Sequence, residues 1–508
     1  MDNMLRVGII DIGSNSIRLV IYETNKSDCY RVIDEAKHAA RLSQHIDSNG
    51  SLPHEVIEEV GETLRYFKNL CDAAGVSDIH AVATAAIRNA QDSGAILRQL
   101  EQRSGLPIRI LSGAEEAQYG FQGLMNTMSM TSGYLIDIGG GSTEVTLIID
   151  RTMIASCSLP YGAVSLARQF KCDSDDLVRL DTSISTLLEQ ASAQYPWIRS
   201  HQGLPMYGLG GTVRALANVH MKQMNYSLPL THHYDMTGED VAATIEQLAA
   251  VPSEERKHIE GMSKSRADII IPGALILKTF FRLTKCSGYI VSASGLRDGI
   301  FFQEVLRTQL AQSDILEHSV RNLVKLHPVV PLPHVNQVAQ HASTLYQALE
   351  QRLHSDVSLH AITRAAALLY RIGVAIHYYD FNDHTRYLIT RSRMNGMTHR
   401  EILLCAAIAA YKGKKAVRRQ IAQHSDLLNK EDLALICKLG LLVQLAVTLD
   451  RSQTQAAQLQ RAEIQDRHLL LHVSAAGELP VEVRSLAAIC DDFHKEWKLT
   501  PVLLLYSH

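Results

Sequence analysis

Two hydrophobic regimes alternate along the chain. In "VGIIDIGSNSIRLVIYE", residues 7–23, Val7 to Ile10 is an unbroken apolar run that predicts a buried strand. Asp11 ends it, Gly13, Ser14, Asn15 and Ser16 form a small polar turn, and Ile17 to Tyr22 predicts a second strand. Residues 134–149, "YLIDIGGGSTEVTLII", repeat the pattern. Aligning Asp11 with Asp137 superposes strand, Asp-Ile-Gly, turn and strand, which predicts an internal duplication and two related lobes. The lobes are expected over 1–125 and 126–310. "HPVVPLP", residues 327–333, carries three prolines in seven positions and predicts an extended linker. No proline occurs from His334 to Leu479, and the stretch is rich in Ala, Leu, Ile, Gln and Arg, so an all-helical domain is expected over 311–460. "RHLLLHV" (467–473) and "PVLLLY" (501–506) read as strands around a helix from Glu482 to Lys498, a small α/β unit over 461–508.

Composition narrows the function classes. A net charge of −3 argues against a general nucleic-acid binder and leaves room for local basic patches. Eight cysteines without Cys-x-x-Cys spacing point to reduced thiols in a cytoplasmic protein rather than a disulfide framework or zinc site. No apolar run reaches the roughly 18 residues of a membrane helix. The chain enters the Asp11 strand almost at once, leaving no room for a signal peptide.

The chemistry of the turns favours phosphate. Glycines let backbone N–H groups approach a ligand, Ser and Thr add hydroxyls, and such a loop cradles an anion. A plain β-hairpin would use the same turn residues; the second copy argues for a site. A carboxylate beside a phosphate loop implies a hard cation between them, Mg²⁺ or similar, at Asp11 and Asp137. Neither turn is a Walker loop or a dinucleotide fingerprint.

Other segments add candidates. In "AVATAAIRNAQ" (81–91), Thr84 and Arg88 share a face if a helix opens there, which suits phosphate; a surface arginine is the alternative. "SGAEEAQYG" (112–120) sets Glu115 beside Glu116 at a helix start; at most one can face a pocket, where it could serve as the base for a water nucleophile. "YGLGGTVRALA" (207–217) offers Gly208, Gly210, Gly211 and Thr212 at a strand-to-helix turn. "SASGLRDGIF" (292–301) is a similar junction, read as structural. "YKGKKAVRRQ" (411–420) carries Lys412, Lys414, Lys415, Arg418 and Arg419, either a solvated face or a track for a polyanion longer than one phosphate.

In this order, "DIGSNSIRL", "ATAAIRNA", "SGAEEA", "DIGGGSTE" and "GLGGT" resemble the exopolyphosphatase/guanosine pentaphosphate phosphohydrolase family of the actin-like ATPase superfamily, over residues 1 to about 310. The resemblance implies two RNase H-like lobes with the Asp-Ile-Gly turns facing across a cleft. It implies metal-site roles for Asp11, Asp137 and Glu144, and phosphate loops at Gly13 to Ser16 and at Gly139, Gly140, Gly141, Ser142 and Thr143. Arg88 matches the phosphate-contacting arginine and Glu116 the proposed base. A homodimer is implied as well. "AALLYRIGVAIHYY", "HTRYLI", "MTHREI" and "LAVTLDRS" resemble an HD-type domain whose His-Asp pair is replaced by Tyr370-Arg371; Asp450 remains, with His341 in the first histidine position. One aspartate and one histidine do not make a binuclear metal site, so a binding platform or dimer element is expected.

The leading expectation is an exopolyphosphatase: Mg²⁺-dependent release of terminal orthophosphate from inorganic polyphosphate by in-line attack of water. Removal of the terminal 5′-phosphate of guanosine pentaphosphate is the alternative that the shared motifs leave open. A phosphate- or alarmone-binding regulator without turnover is a third, and a sugar kinase would need an acceptor pocket.

Overall fold

The structure is a computed structural model that describes residues 4–25, 29–47, 49–170, 174–353, 359–475 and 477–507. The chain divides into two compact units, Met1–Ile315 and Leu316–His508.

The first unit is built on two mixed sheets of one design. In the first, β1 (Leu5–Ile12), β2 (Ile17–Thr24) and β3 (Tyr30–His38) form an antiparallel meander, and β4 (Asp78–Ala83) and β5 (Ile108–Ile110) continue parallel to β1, giving the order β3-β2-β1-β4-β5. In the second, β6 (Gly133–Ile138), β7 (Thr143–Ile149) and β8 (Thr152–Leu159) repeat the meander. There β9 (Met206–Leu209) lies parallel to β6 and β11 (Tyr289–Val291) parallel to β9, with β10 (Asp235–Met236) at the edge. The shared order is the RNase H-like arrangement, and its duplication is the actin-like ATPase fold. Central strands covered on both faces need apolar residues at successive positions. Ile9, Ile10 and Ile12 of β1 are accordingly buried, as are Tyr134, Leu135 and Ile136 of β6.

The lobes are not divided where the sequence suggested. The helix Gly113–Met125, expected to close the first lobe, packs Phe121, Leu124 and Met125 against Leu135, Tyr207 and Leu209 of the second sheet. The helix Leu296–Ile300 and the π turn Phe301–Leu306, expected to close the second, pack Ile300, Phe301 and Phe302 against Ile9, Val20 and Tyr22 of the first. The two segments cross where a Cβ at Gly299 would overlap the backbone of Tyr119, so each lobe is completed by a helix from the other half of the chain.

The second unit is helical up to Asp432–Thr448, a helix apolar on nearly every side and buried accordingly. It ends in a three-stranded sheet: β12 (Ala457–Gln465) pairs antiparallel with β13 (His468–Ala475), and the helix Pro480–Trp497 crosses to β14 (Thr500–Ser507), parallel to β13. Three expectations are corrected here. "HPVVPLP" is not an interdomain linker, because the helix Leu332–Leu349 starts within it, and the short turn before that helix follows Asp314–Leu326. A boundary at 461 cuts through β12, which the sequence reading missed because this edge strand is largely exposed and polar, "AQLQRAEIQ". The terminal α/β unit is not separate either: Trp497 donates from Nε1 to Lys438 O at 3.0 Å.

Candidate active site

The two Asp-Ile-Gly turns close in the same way. Gly13 N–H donates to Ser16 O at 3.2 Å, and Gly139 N–H donates to Ser142 O at 3.0 Å. The turns meet at the mouth between the lobes: a Cβ on Gly140 would lie 3.0 Å from Ser14 Cβ, and one on Gly141 would lie 2.8 Å from Ser14 Oγ. These glycines let turn touch turn. Gly13, Ser14, Asn15, Ser16, Gly139, Gly140 and Ser142 line a cleft of about 150 Å³, whereas Gly141 and Thr143 do not. Thr143 Oγ1 instead donates to Tyr161 O at 2.8 Å. Ser14 is 3% exposed, and its hydroxyl has no hydrogen-bond partner among the described residues. A buried hydroxyl in a cleft carries a cost unless a ligand oxygen satisfies it.

Asp11, Asp137, Glu144 and Glu116 all line this cleft. The register shows how the copies diverged: Asp137 lies opposite Glu144, while Asp11 lies opposite Arg18. One turn therefore carries a second carboxylate where the other carries a guanidinium. Burial pushes the Asp137 carboxyl up to about 6, an effect that Arg214 opposes and Asp11 reinforces. Burial also raises Asp11, against the pull of Arg297 and Arg18. Glu144 accepts from Ser158 Oγ at 2.7 Å, yet burial and the charge of Asp137 hold it above its ordinary range.

The paired glutamates divide the work. Glu115 caps its helix, with its Oε2 accepting from Ser112 N at 2.8 Å while its own N–H donates to Ser112 Oγ. Glu116, one position on, turns into the cleft and pairs with Arg88, whose Nη1 also donates to Leu111 O at 2.8 Å. Burial, then the charge of Glu144, raises the Glu116 carboxyl despite Arg88. Arg88 ends the four-residue helix Ala85–Arg88 that follows Thr84, and Thr84 lines the cleft. Arg88 does not itself line the cleft; its guanidinium pairs with Glu116, which does.

Gly210 and Gly211 line the cleft at the start of the helix Gly210–Gln223. Gly210 has φ +86, and a Cβ there would lie 2.6 Å from Asp137 Oδ1, so both backbone and space require glycine. Gly208 and Thr212 serve packing instead: Gly208 lies against the Tyr289 ring and Thr212 against Gly273.

Sequence reading missed the positive charge. Arg18, Arg214, Arg266 and Arg297 line the cleft. Burial pushes Arg214 and Arg266 down to about 10, and the neighbouring guanidinium groups add to the effect. Crowded, buried cations favour an anion between them. Three stand inside or just behind quoted motifs: Arg18 in "DIGSNSIRL", Arg214 after "GLGGT" and Arg297 in "SASGLRDGIF". The last junction, read as structural, contributes Ala293 to Asp298 to the lining. Arg266 has no such signal.

The cleft suits a hard cation bound together with phosphate. Its donors are carboxylate oxygens, and Mg²⁺ typically takes one or two carboxylates plus substrate phosphate oxygens. Among the described residues no three His, Cys, Asp or Glu side chains gather closely enough to hold an ion by themselves.

His334, not His341, faces Asp450: Nδ1 lies 2.7 Å from Asp450 Oδ2, and Nε2 lies 2.7 Å from the Tyr370 hydroxyl. His341 instead accepts from Leu459 N–H at 3.3 Å. The basic run is exposed on and beside the helix Lys414–Gln423, where Lys412 pairs with Asp380 at 3.0 Å and Lys414 with Glu496 at 3.5 Å.

Two family models together match most of the chain. The model of the Ppx/GppA phosphatase family matches residues 19–308, and that of Ppx/GppA phosphatase domain III matches residues 315–485. The crystal structure of the Aquifex aeolicus member of the Ppx/GppA family is 26% identical, with a TM-score of 0.52, covering 61% of this chain and 100% of that one. An exopolyphosphatase from Cytophaga hutchinsonii, 22% identical over 59% of this chain and 97% of its own, shares the fold with a TM-score of 0.53.

Proposed function

The chain belongs to the Ppx/GppA phosphatase family and so hydrolyses phosphoanhydride bonds, and from that premise we propose that it is an exopolyphosphatase releasing orthophosphate from the end of inorganic polyphosphate. The observation that carries the choice is the cleft lining. It consists of carboxylates, four guanidinium groups, small hydroxyls, the Asn15 amide and backbone, with Ile138, Ala293 and Leu296 as its apolar side chains. Such a lining recognises phosphate repeated along a chain and offers a base little to stack on. Removal of the terminal 5′-phosphate of guanosine pentaphosphate is the second reading, because the phosphate-binding parts suit it equally.

The terminal phosphoryl group lies between the two turns. Backbone N–H groups of Ser14, Asn15 and Ser16 and of Gly140 and Ser142, the Ser14 hydroxyl and the helix start at Gly210 and Gly211 donate to its oxygens. Arg18, Arg214, Arg266 and Arg297 hold the phosphates behind it and neutralise charge as the bridging bond breaks. Asp11, Asp137 and Glu144 would hold Mg²⁺, which when bound neutralises phosphate oxygens and fixes their orientation. Glu116 takes a proton from the attacking water at its carboxylate, whose charged form Arg88 favours against burial and the charge of Glu144. Arg88 is the positioning residue that aims Glu116. Catalysis then rests on positioning and charge neutralisation, as phosphoryl transfer requires.

Glu116→Gln tests the central role. The variant should fold and bind polyphosphate as the wild type does, and turnover should fall roughly a hundredfold or more. Near-normal turnover would remove Glu116 as the base.

A further inference from the structure

The second unit has a pocket of different chemistry. A cavity of about 470 Å³ opens beside Tyr370, where the chain departs from the HD pattern. Small-molecule pockets run from about 300 to 1,000 Å³. Two guanidinium groups, Arg371 and Arg451, line it together with the rings of Tyr378 and Phe381 and the amides of Asn382 and Gln444. The Arg371 guanidinium sits 5.9 Å from the centroid of Tyr378 and 5.9 Å from that of Phe381, and those rings are 6.5 Å apart at 41°. Neither arginine has a carboxylate partner among the described residues, although nearby Lys412 and Lys438 are engaged. Tyr378 is 57% exposed at the rim. Behind Tyr370 lies the buried His334–Asp450 pair, which fixes the Tyr370 hydroxyl and fills with hydrogen bonds the place an ion would need.

Two guanidinium groups without a carboxylate partner among the described residues, Arg371 also meeting the Tyr370 hydroxyl, outweigh the one lining carboxylate, Asp492, which pairs with Lys495; they call for an anion, and planar rings beside them call for a flat aromatic group. Side-chain amides supply the donors and acceptors that a base edge needs. We infer that this pocket binds a nucleotide, with its base stacked on Tyr378 and Phe381 and its phosphate between Arg371 and Arg451. The site lies wholly within the second unit and does not depend on which phosphoanhydride the cleft hydrolyses.

The test is hydrogen exchange and calorimetry on the full chain with AMP and GMP, using adenosine, guanosine and inorganic phosphate as controls. At least one nucleotide should bind with a Kd below about 1 mM and slow exchange at 370–382 and 443–451, with each control much weaker. Tyr378→Ala and Arg451→Gln, both at the rim, should each weaken binding about tenfold, and Tyr378→Phe should preserve it. Glu116→Gln should leave it unchanged. Three results would each overturn the site: no binding of either nucleotide at millimolar concentration, protection confined to the cleft turns, or wild-type affinity in both Tyr378→Ala and Arg451→Gln. Phosphate binding as tightly as the nucleotides would reduce it to an anion site and overturn the stacking.

Discussion

Asp137 and Glu144 face each other across one hairpin, while the matching hairpin sets Asp11 against Arg18. The duplication kept one carboxylate in each turn and let its partner diverge in charge. Two consequences belong to these residues. Asp137→Asn and Glu144→Gln should raise the Mg²⁺ concentration needed for half-maximal activity with little change in thermal midpoint, because both side chains line the cleft rather than the core. A titration of activity against Mg²⁺ measures it, and an unchanged requirement in both variants would count against their roles. Gly210→Ala should cost both stability and activity. Its φ of +86 penalises any Cβ, by about 1 kcal/mol or more, and the Cβ would push on Asp137 Oδ1. A denaturation midpoint and a rate measured together report the two effects; full activity in a folded variant would mean that the Asp137 position is not critical.

Elements show how much the sequence revealed and why it stopped there. Asp11, Gly13 and Asp137 were legible because a strand, a sharp turn and a carboxylate leave a local signature twice. Of Glu115 and Glu116 the residues alone said only that one at most could face a pocket; the choice of Glu116 came from the family resemblance, and its place in the cleft lining agrees with it. The cleft arginines were not, since each enters from a different element and only folding brings Arg18, Arg214, Arg266 and Arg297 together. The exchange of helices between lobes was hidden for the same reason: an amphipathic segment shows that it has a buried face, not which sheet it covers. His334 was passed over for His341 because spacing alone cannot tell a histidine facing Asp450 from one seven positions on. His341 has its own consequence. It joins the helix Leu332–Leu349 to β12 through Leu459 N–H, and burial pushes its ring down to about 4. The folded ring is neutral, so below about 6.5 the unfolded chain takes up a proton that the folded chain refuses. Stability should therefore fall as pH drops from about 6.5 to 4, by at most about 3 kcal/mol from this group. Trp497, buried against Phe493, reports unfolding of the second unit in a Trp197→Phe background. His341→Gln should flatten part of that pH slope, and an unaltered slope would contradict the assignment.

At the scale of the whole molecule the question is whether the substrate is a chain. Lys415, Arg418 and Arg419 are exposed and lie three and four positions apart, on one face of the helix Lys414–Gln423. If they contact phosphates remote from the reacting one, neutralising them should raise KM for long polyphosphate, spare short chains and leave kcat for a short substrate nearly unchanged. Lys412 and Lys414, already paired with Asp380 and Glu496, should matter less. Equal effects at both lengths would leave the run as surface charge. The assignment itself is tested most directly by phosphate release from long-chain polyphosphate and from guanosine pentaphosphate, each with Mg²⁺ and the same full-length enzyme. A cleft lined by guanidinium groups and small polar side chains predicts a higher kcat/KM for polyphosphate, lost in Glu116→Gln. Rapid release from guanosine pentaphosphate with little or none from polyphosphate would contradict it.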